Sequence, residues 1–174
     1  MQILFLVVLG VGVWSGQTNA QSVTNPPPGK GAISNLVFMI RQQPRSDQES
    51  AAKESAIMEA AKIHTPDDRI ISALIDNSSY RARSQGRVSI NPMSAPKFSV
   101  WPARDALLTI GEPVIPVLIS KLKLQDADKL RMKHTLLLKE IAGNKSADLL
   151  RKAASESADE TQKNRLKKCL AIIE

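Results

Sequence analysis

What most constrains this chain is a helix-ending signature that returns at a near-fixed spacing. Leu107-Leu108-Thr109-Ile110-Gly111 lies over Leu138-Lys139-Glu140-Ile141-Ala142 at an offset of 31, and Leu118-Ile119 lies over Leu149-Leu150 at the same offset. Near the end, Leu166 and Leu170 follow Met132 and Leu136 at an offset of 34. A single helix pair cannot bury its own apolar stripe, so a recurring pair implies neighbours stacked on one another. The expected fold class is all-α, a short α-solenoid of antiparallel helix pairs.

Start and stop signals support that division. Ser46 with Glu49 has the spacing of a capping box, in which each side chain accepts the other's unpaired N–H, and it opens a helix through Ala51, Ala52, Ala56, Ala60 and Ile63. Thr65-Pro66-Asp67-Asp68 offers an N-cap, a proline at the first helical position and acids at the positive helix end. Ile70, Ile71, Leu74 and Ile75 form the next apolar face, and the two helices are expected to pair as a hairpin. Ile33 to Ile40 reads as a leading helix covering the end of the stack.

Further on, Pro102 opens a helix with Ala103, Ala106, Leu107 and Ile110 inward, and Gly111 closes it. Pro113 starts its partner with Val114, Val117, Leu118 and Leu122. Asp128 precedes a helix carrying Leu130, Leu137, Leu138 and Ile141, which Gly143 stops. Ala147, Leu150 and Ala154 follow. Ser157 with Glu160 reads as a second capping box, opening a last helix with Leu166, Cys169, Leu170 and Ile173. Aromatic residues are only 3 % of the 174, which argues against a β-sandwich or barrel.

The run from Ala106 to Ile119, Ala-Leu-Leu-Thr-Ile-Gly-Glu-Pro-Val-Ile-Pro-Val-Leu-Ile, resembles the core of a HEAT repeat. That family's pattern is Ala-Leu-x-x-Ile-Gly, one or two small or proline residues, then Val-Pro-x-Leu-Ile. The likeness is close over this unit and weaker in the flanking pairs. The spacing is shorter than the roughly 40–47 residues of HEAT units, nearer to compact bacterial variants. The third pair departs further, with Gly143-Asn144-Lys145 where the second has Glu112-Pro113-Val114. The resemblance implies a scaffold or protein-binding surface without catalysis. It also leaves open an enzyme or enzyme accessory, since some relatives are lyase-like and act on bilin chromophores.

The N-terminus carries a different signal. Met1 to Ala20 contain no charged residue, and an apolar run extends from Ile3 to Trp14. That run fits the core of a secretory signal and is shorter than the about 20 residues a bilayer span needs. Thr18 and Ala20 suit the small positions before a cleavage site; an uncleaved anchor or a buried strand is the alternative. No cysteine follows the run, so bacterial lipid attachment is excluded. The expected destination is therefore outside the cytoplasm, periplasmic or extracellular. Pro26-Pro27-Pro28 and the flanking glycines make residues 21–45 a linker that ends in the leading helix, leaving 46–174 as the repeat domain.

An insertion at 77–100 breaks the short period. From Asn77 to Arg104 there are five cations (Arg81, Arg83, Arg87, Lys97, Arg104) and no acid, together with Tyr80, Phe98 and Trp101. Arginine beside aromatic rings can bind an anionic or π-rich partner by charge and stacking. Tyr80, Arg81, Arg83, Arg87, Lys97, Phe98 and Trp101 are thus the candidate partner-binding residues, facing an acidic protein or an anionic envelope polymer. The plainer alternative is that Phe98 and Trp101 pin the loop while the arginines stay solvated. A second basic stretch, 121–139, has six cations against Asp126 and Asp128. Lys121 and Lys123 complement a helix C-terminus, and Arg131 with Lys133 could extend a basic surface. The formal charge of +7 suits nucleic acid, but export makes that partner improbable.

No glycine-rich phosphate loop, nucleophile elbow or His-Glu-x-x-His motif is present. His134 lies on an apolar helix face and reads as a packed, hydrogen-bonded histidine. His64 suits a helix end, and Cys169 shares a face with Leu166 and Leu170, as a packed thiol would. No catalytic residue, metal or cofactor is assigned.

Overall fold

The computed structural model describes residues 29–63, 65–83 and 100–174. The N-terminal stretch expected to be a signal, the proline segment, His64 and most of the insertion lie outside the described residues. Within them the chain is all-helical, with eight α-helices: α1 (Lys30–Arg41), α2 (Asp47–Ala61), α3 (Asp68–Asp76), α4 (Pro102–Ile110), α5 (Val114–Leu124), α6 (Asp128–Ala142), α7 (Ser146–Ser155) and α8 (Glu160–Ile173). None of the described helices is long and apolar enough to cross a membrane.

Local chemistry sets most of these bounds, with three adjustments. Ser46 Oγ accepts the Glu49 N–H at 3.2 Å as the box requires, but Glu49 returns to the Arg45 N–H at 2.6 Å, one residue early. The α3 cap is Asp67 instead of Thr65. Its carboxylate accepts the Arg69 N–H at 2.8 Å and also the Arg69 guanidinium, and this pairing holds its pKa below the usual range. A charged acceptor with an ion-pair partner outcompetes a hydroxyl. At α8, Asp159 caps Thr161 N–H at 2.8 Å, while the Ser157 hydroxyl donates to the Ala153 carbonyl. The Ser157 box is therefore replaced by an aspartate cap two residues later.

The ends of α4 and α6 share one conformation. Gly111 has φ 73° and ψ −131°, and Gly143 has φ 56° and ψ −133°, a region that a side chain would strain. The shared turn conformation matches Gly111 to Gly143, one residue off the offset read from Ala142. The offset of 34 fares worse, because Leu166 is fully buried whereas Met132 is exposed.

Helix pairing is also shifted by one helix from expectation. Chain neighbours pack as α1 with α2, α3 with α4, α5 with α6 and α7 with α8. Comparable packing joins α2 with α4, α1 with α3, α5 with α8 and α6 with α8, and lesser contacts join α3 with α5, α6 with α7 and α4 with α6. The cause is visible in α3. Its Ile70, Ile71, Ala73, Leu74 and Ile75 are all buried, an arc too wide for one partner to cover. It therefore packs on α1, α4 and α5 at once. The leading helix is consequently a full packing partner, burying Leu36 and Ile40. The core continues through Leu107, Leu118, Leu122, Leu138, Leu150 and Leu166. Each such side chain contributes roughly 1.5–3 kcal/mol on burial.

Candidate partner-binding cleft

The connection after α3 is tied down before it reaches the insertion. Lys53 of α2 is only 1 % exposed, and its Nζ donates to the Gln42 carbonyl at 2.9 Å and to Asn77 Oδ1 at 2.7 Å. The same ammonium sits 4.4 Å from the centroid of the Tyr80 ring. These partners are neutral, and burial pushes the lysine pKa down. Beside it, Glu54 Oε1 accepts from the Tyr80 hydroxyl at 3.3 Å and from the Arg83 N–H at 3.1 Å. The Ala82 N–H donates to the Val100 carbonyl at 3.0 Å, so the two described ends of the insertion meet. Tyr80 is half-buried and fastens this neck, whereas Arg81 and Arg83 carry exposed side chains. Arg87, Lys97 and Phe98 lie outside the described residues.

Trp101 comes to a different place. It immediately precedes α4, with Pro102 buried behind it, and lines a cleft of about 390 Å³ between α4, α6 and the turn after α3. The other lining residues are Ser78, Ser79, Arg104, Lys133, Leu136, Leu137 and Glu140. Arg104 Nη2 holds both carboxylate oxygens of Glu140 at 2.6 Å, and Lys133 Nζ donates to Ser79 Oγ at 2.9 Å. Trp101, Leu136 and Leu137 give the cleft its apolar surface, and Arg104, Lys133 and Glu140 leave its rim one net positive charge. A second cleft of about 370 Å³, lined by Ile57, Met58, Ala61, Pro102, Asp105 and Ala106 among others, lies between α2 and α4.

The two basic stretches converge on the first cleft. Trp101 and Arg104 come from one, and Lys133 from the other. Three of the other cations of the second stretch, Arg131, Lys121 and Lys139, are otherwise engaged. Arg131 is buried, pairs with Asp128 and donates to the carbonyls of Gln125 and Asp126, so the expectation that it extends a basic surface is corrected. The α5–α6 turn needs those carbonyls satisfied, and a guanidinium reaches them. Lys121 pairs with Asp76, and Lys139 donates to the Ile173 carbonyl.

Sequence reasoning missed Leu136 and Met132 as surface groups. They stand one turn apart on α6, 48 % and 46 % exposed, out of phase with the buried His134, Leu137 and Leu138. That phase mismatch was the available signal. Leu130, expected inward, is exposed as well.

His134 is buried and hydrogen-bonds the Ile75 backbone carbonyl, as a packed, bonded histidine would, while its Nδ1 has no hydrogen-bond partner among the described residues. Burial and the nearby Lys121 hold its pKa below the ordinary 6.5, against the opposing pull of Asp76 and the Ile75 carbonyl. Cys169 is free and buried, and burial raises its pKa. Among the described residues, no group of three or more His, Cys, Asp or Glu is placed to hold a metal ion. Comparisons with protein-family models, curated proteins and solved structures return no match to this chain.

Proposed function

We propose that this chain is an exported, non-catalytic interaction module whose helix pairs stack in a HEAT-like solenoid and hold the Trp101 cleft open to a protein partner. The observation that carries this reading is the meeting of Arg104 and Lys133, one cation from each basic stretch, beside the apolar groups of Trp101, Leu136 and Leu137. The order of contacts supports the stacking part. Odd-numbered helices α1, α3 and α5 touch in series, and so do even-numbered α2, α4, α6 and α8. The matching turns at Gly111 and Gly143 add to it. His134 and Cys169 are taken up in packing. The export part rests on the apolar run from Ile3 to Trp14.

The test is photo-crosslinking in cells that make the protein, with a photoreactive residue replacing Trp101 in one variant and Phe38, on exposed α1 surface, in another. A discrete protein adduct from position 101 and none from position 38 is the expected result. Equal labelling from both positions, or none from 101, would overturn the reading.

A further inference from the structure

We infer that the Trp101 cleft takes an acidic segment of a partner protein that carries an apolar anchor, an inference that rests on the interaction-module reading above. The apolar half of the requirement comes from exposure. Trp101 is 39 % exposed beside Val100, and Leu136 and Met132 present adjoining apolar surface on α6. Apolar groups gathered at a polar-rimmed cleft mark a binding surface. The volume, about 390 Å³, sits at the small end of the roughly 300–1,000 Å³ of ligand pockets, so it admits side chains of a segment and not a domain.

The acidic half comes from charge. Glu140 is the one carboxylate among the lining residues and is already opposite Arg104. That pair is made through Nη2, and a guanidinium has further donors for a second carboxylate. Lys133, whose bond here is to the neutral Ser79 hydroxyl, supplies a full positive charge at the rim. Arg81 and Arg83 are exposed on the connection that leaves the Ser78–Ser79 turn, within a few residues of the cleft. A polyanion with no apolar group would satisfy the rim and leave the floor uncovered. An apolar segment without acids would cover the floor and gain nothing from the rim. Both are met by a segment in which aromatic or aliphatic side chains alternate with Asp or Glu.

The experiment uses the full chain with Trp14→Phe, so that fluorescence reports Trp101. It is titrated with three tryptophan-free peptides that share Leu and Phe anchors and carry Glu, Gln or Lys at every other position. The Glu peptide is expected to shift Trp101 emission and to bind about tenfold or more tighter than the Gln peptide, with salt weakening it. Lys133→Glu is expected to weaken the Glu peptide by about tenfold, and Lys133→Gln less, with unchanged melting temperature, since that side chain is exposed. Equal affinity for the Gln or Lys peptide overturns the inference. So does equal affinity for an anchor-free poly-glutamate, or tighter binding of a single-stranded oligonucleotide at Trp101. A crosslinked partner that lacks any acidic, apolar-anchored segment sinks this inference alone, whereas failure of crosslinking at position 101 sinks the reading beneath it.

Discussion

Two buried basic side chains show how differently the same burial can be resolved. Lys53 keeps three neighbours that accept or face positive charge: the Gln42 carbonyl, Asn77 Oδ1 and the Tyr80 ring. It joins α2 to the end of α3 by bonds that no apolar residue could make. His134 is treated in the opposite way, with Nδ1 buried and unbonded and Lys121 close enough to disfavour a second cation. Its folded pKa is depressed, so the unfolded chain binds the extra proton more readily. Stability from this residue is therefore complete above the ordinary 6.5 and declines as pH falls from there toward the lower folded value. Urea unfolding at stepped pH should show that decline in the parent chain and a flatter profile in His134→Leu, and parallel profiles would show that His134 does not titrate in this way. Neither resolution could be read from sequence. Lys53 looked like any exposed lysine in an alanine-rich helix, and His134 shared an apolar face without revealing what faced it.

At the scale of elements, the turns were more legible than the caps. Gly111 and Gly143 were both identified as helix stops, and both adopt positive φ. Gly111→Ala should cost about 1–3 kcal/mol by backbone strain alone, because no atom lies within 4 Å of the added methyl. Gly31→Ala is the matched control. It lies in the exposed first turns of α1 with equally open surroundings and ordinary φ, so a neutral or slightly stabilising effect is expected there. Comparing urea midpoints of the two variants decides the matter; an equal, small effect at both would remove the strain argument. The caps at Thr65 and Ser157 moved because an aspartate stood two residues downstream in each case. A carboxylate accepts a backbone N–H more strongly than a hydroxyl does, and at Asp67 the choice is reinforced by Arg69. Spacing alone ranks such neighbouring candidates poorly.

For the molecule as a whole, α3 is the helix with the largest buried share. That helix meets α1, α4 and α5 and buries five of its nine residues. Hydrogen exchange should therefore find the amides of Ile71 to Ile75 among the slowest, with α8 exchanging sooner at its C-terminal turn, where Ile172 is partly exposed. Protection spread evenly over all helices would show that this burial does not set local stability. The sequence by itself determined the helical class, the glycine stops and most inward faces, because periodicity and backbone preferences act over a few residues. It also located two basic stretches and placed Trp101 among seven candidate partner-binding residues. Only the tertiary structure decided which helices pair, which glycine turns match, and which cations are engaged. Arg131 is consumed by turn carbonyls and Lys121 by Asp76, while Lys133 and Arg104 meet beside Trp101. Those outcomes depend on contacts between residues far apart in the chain, about which local spacing carries no information.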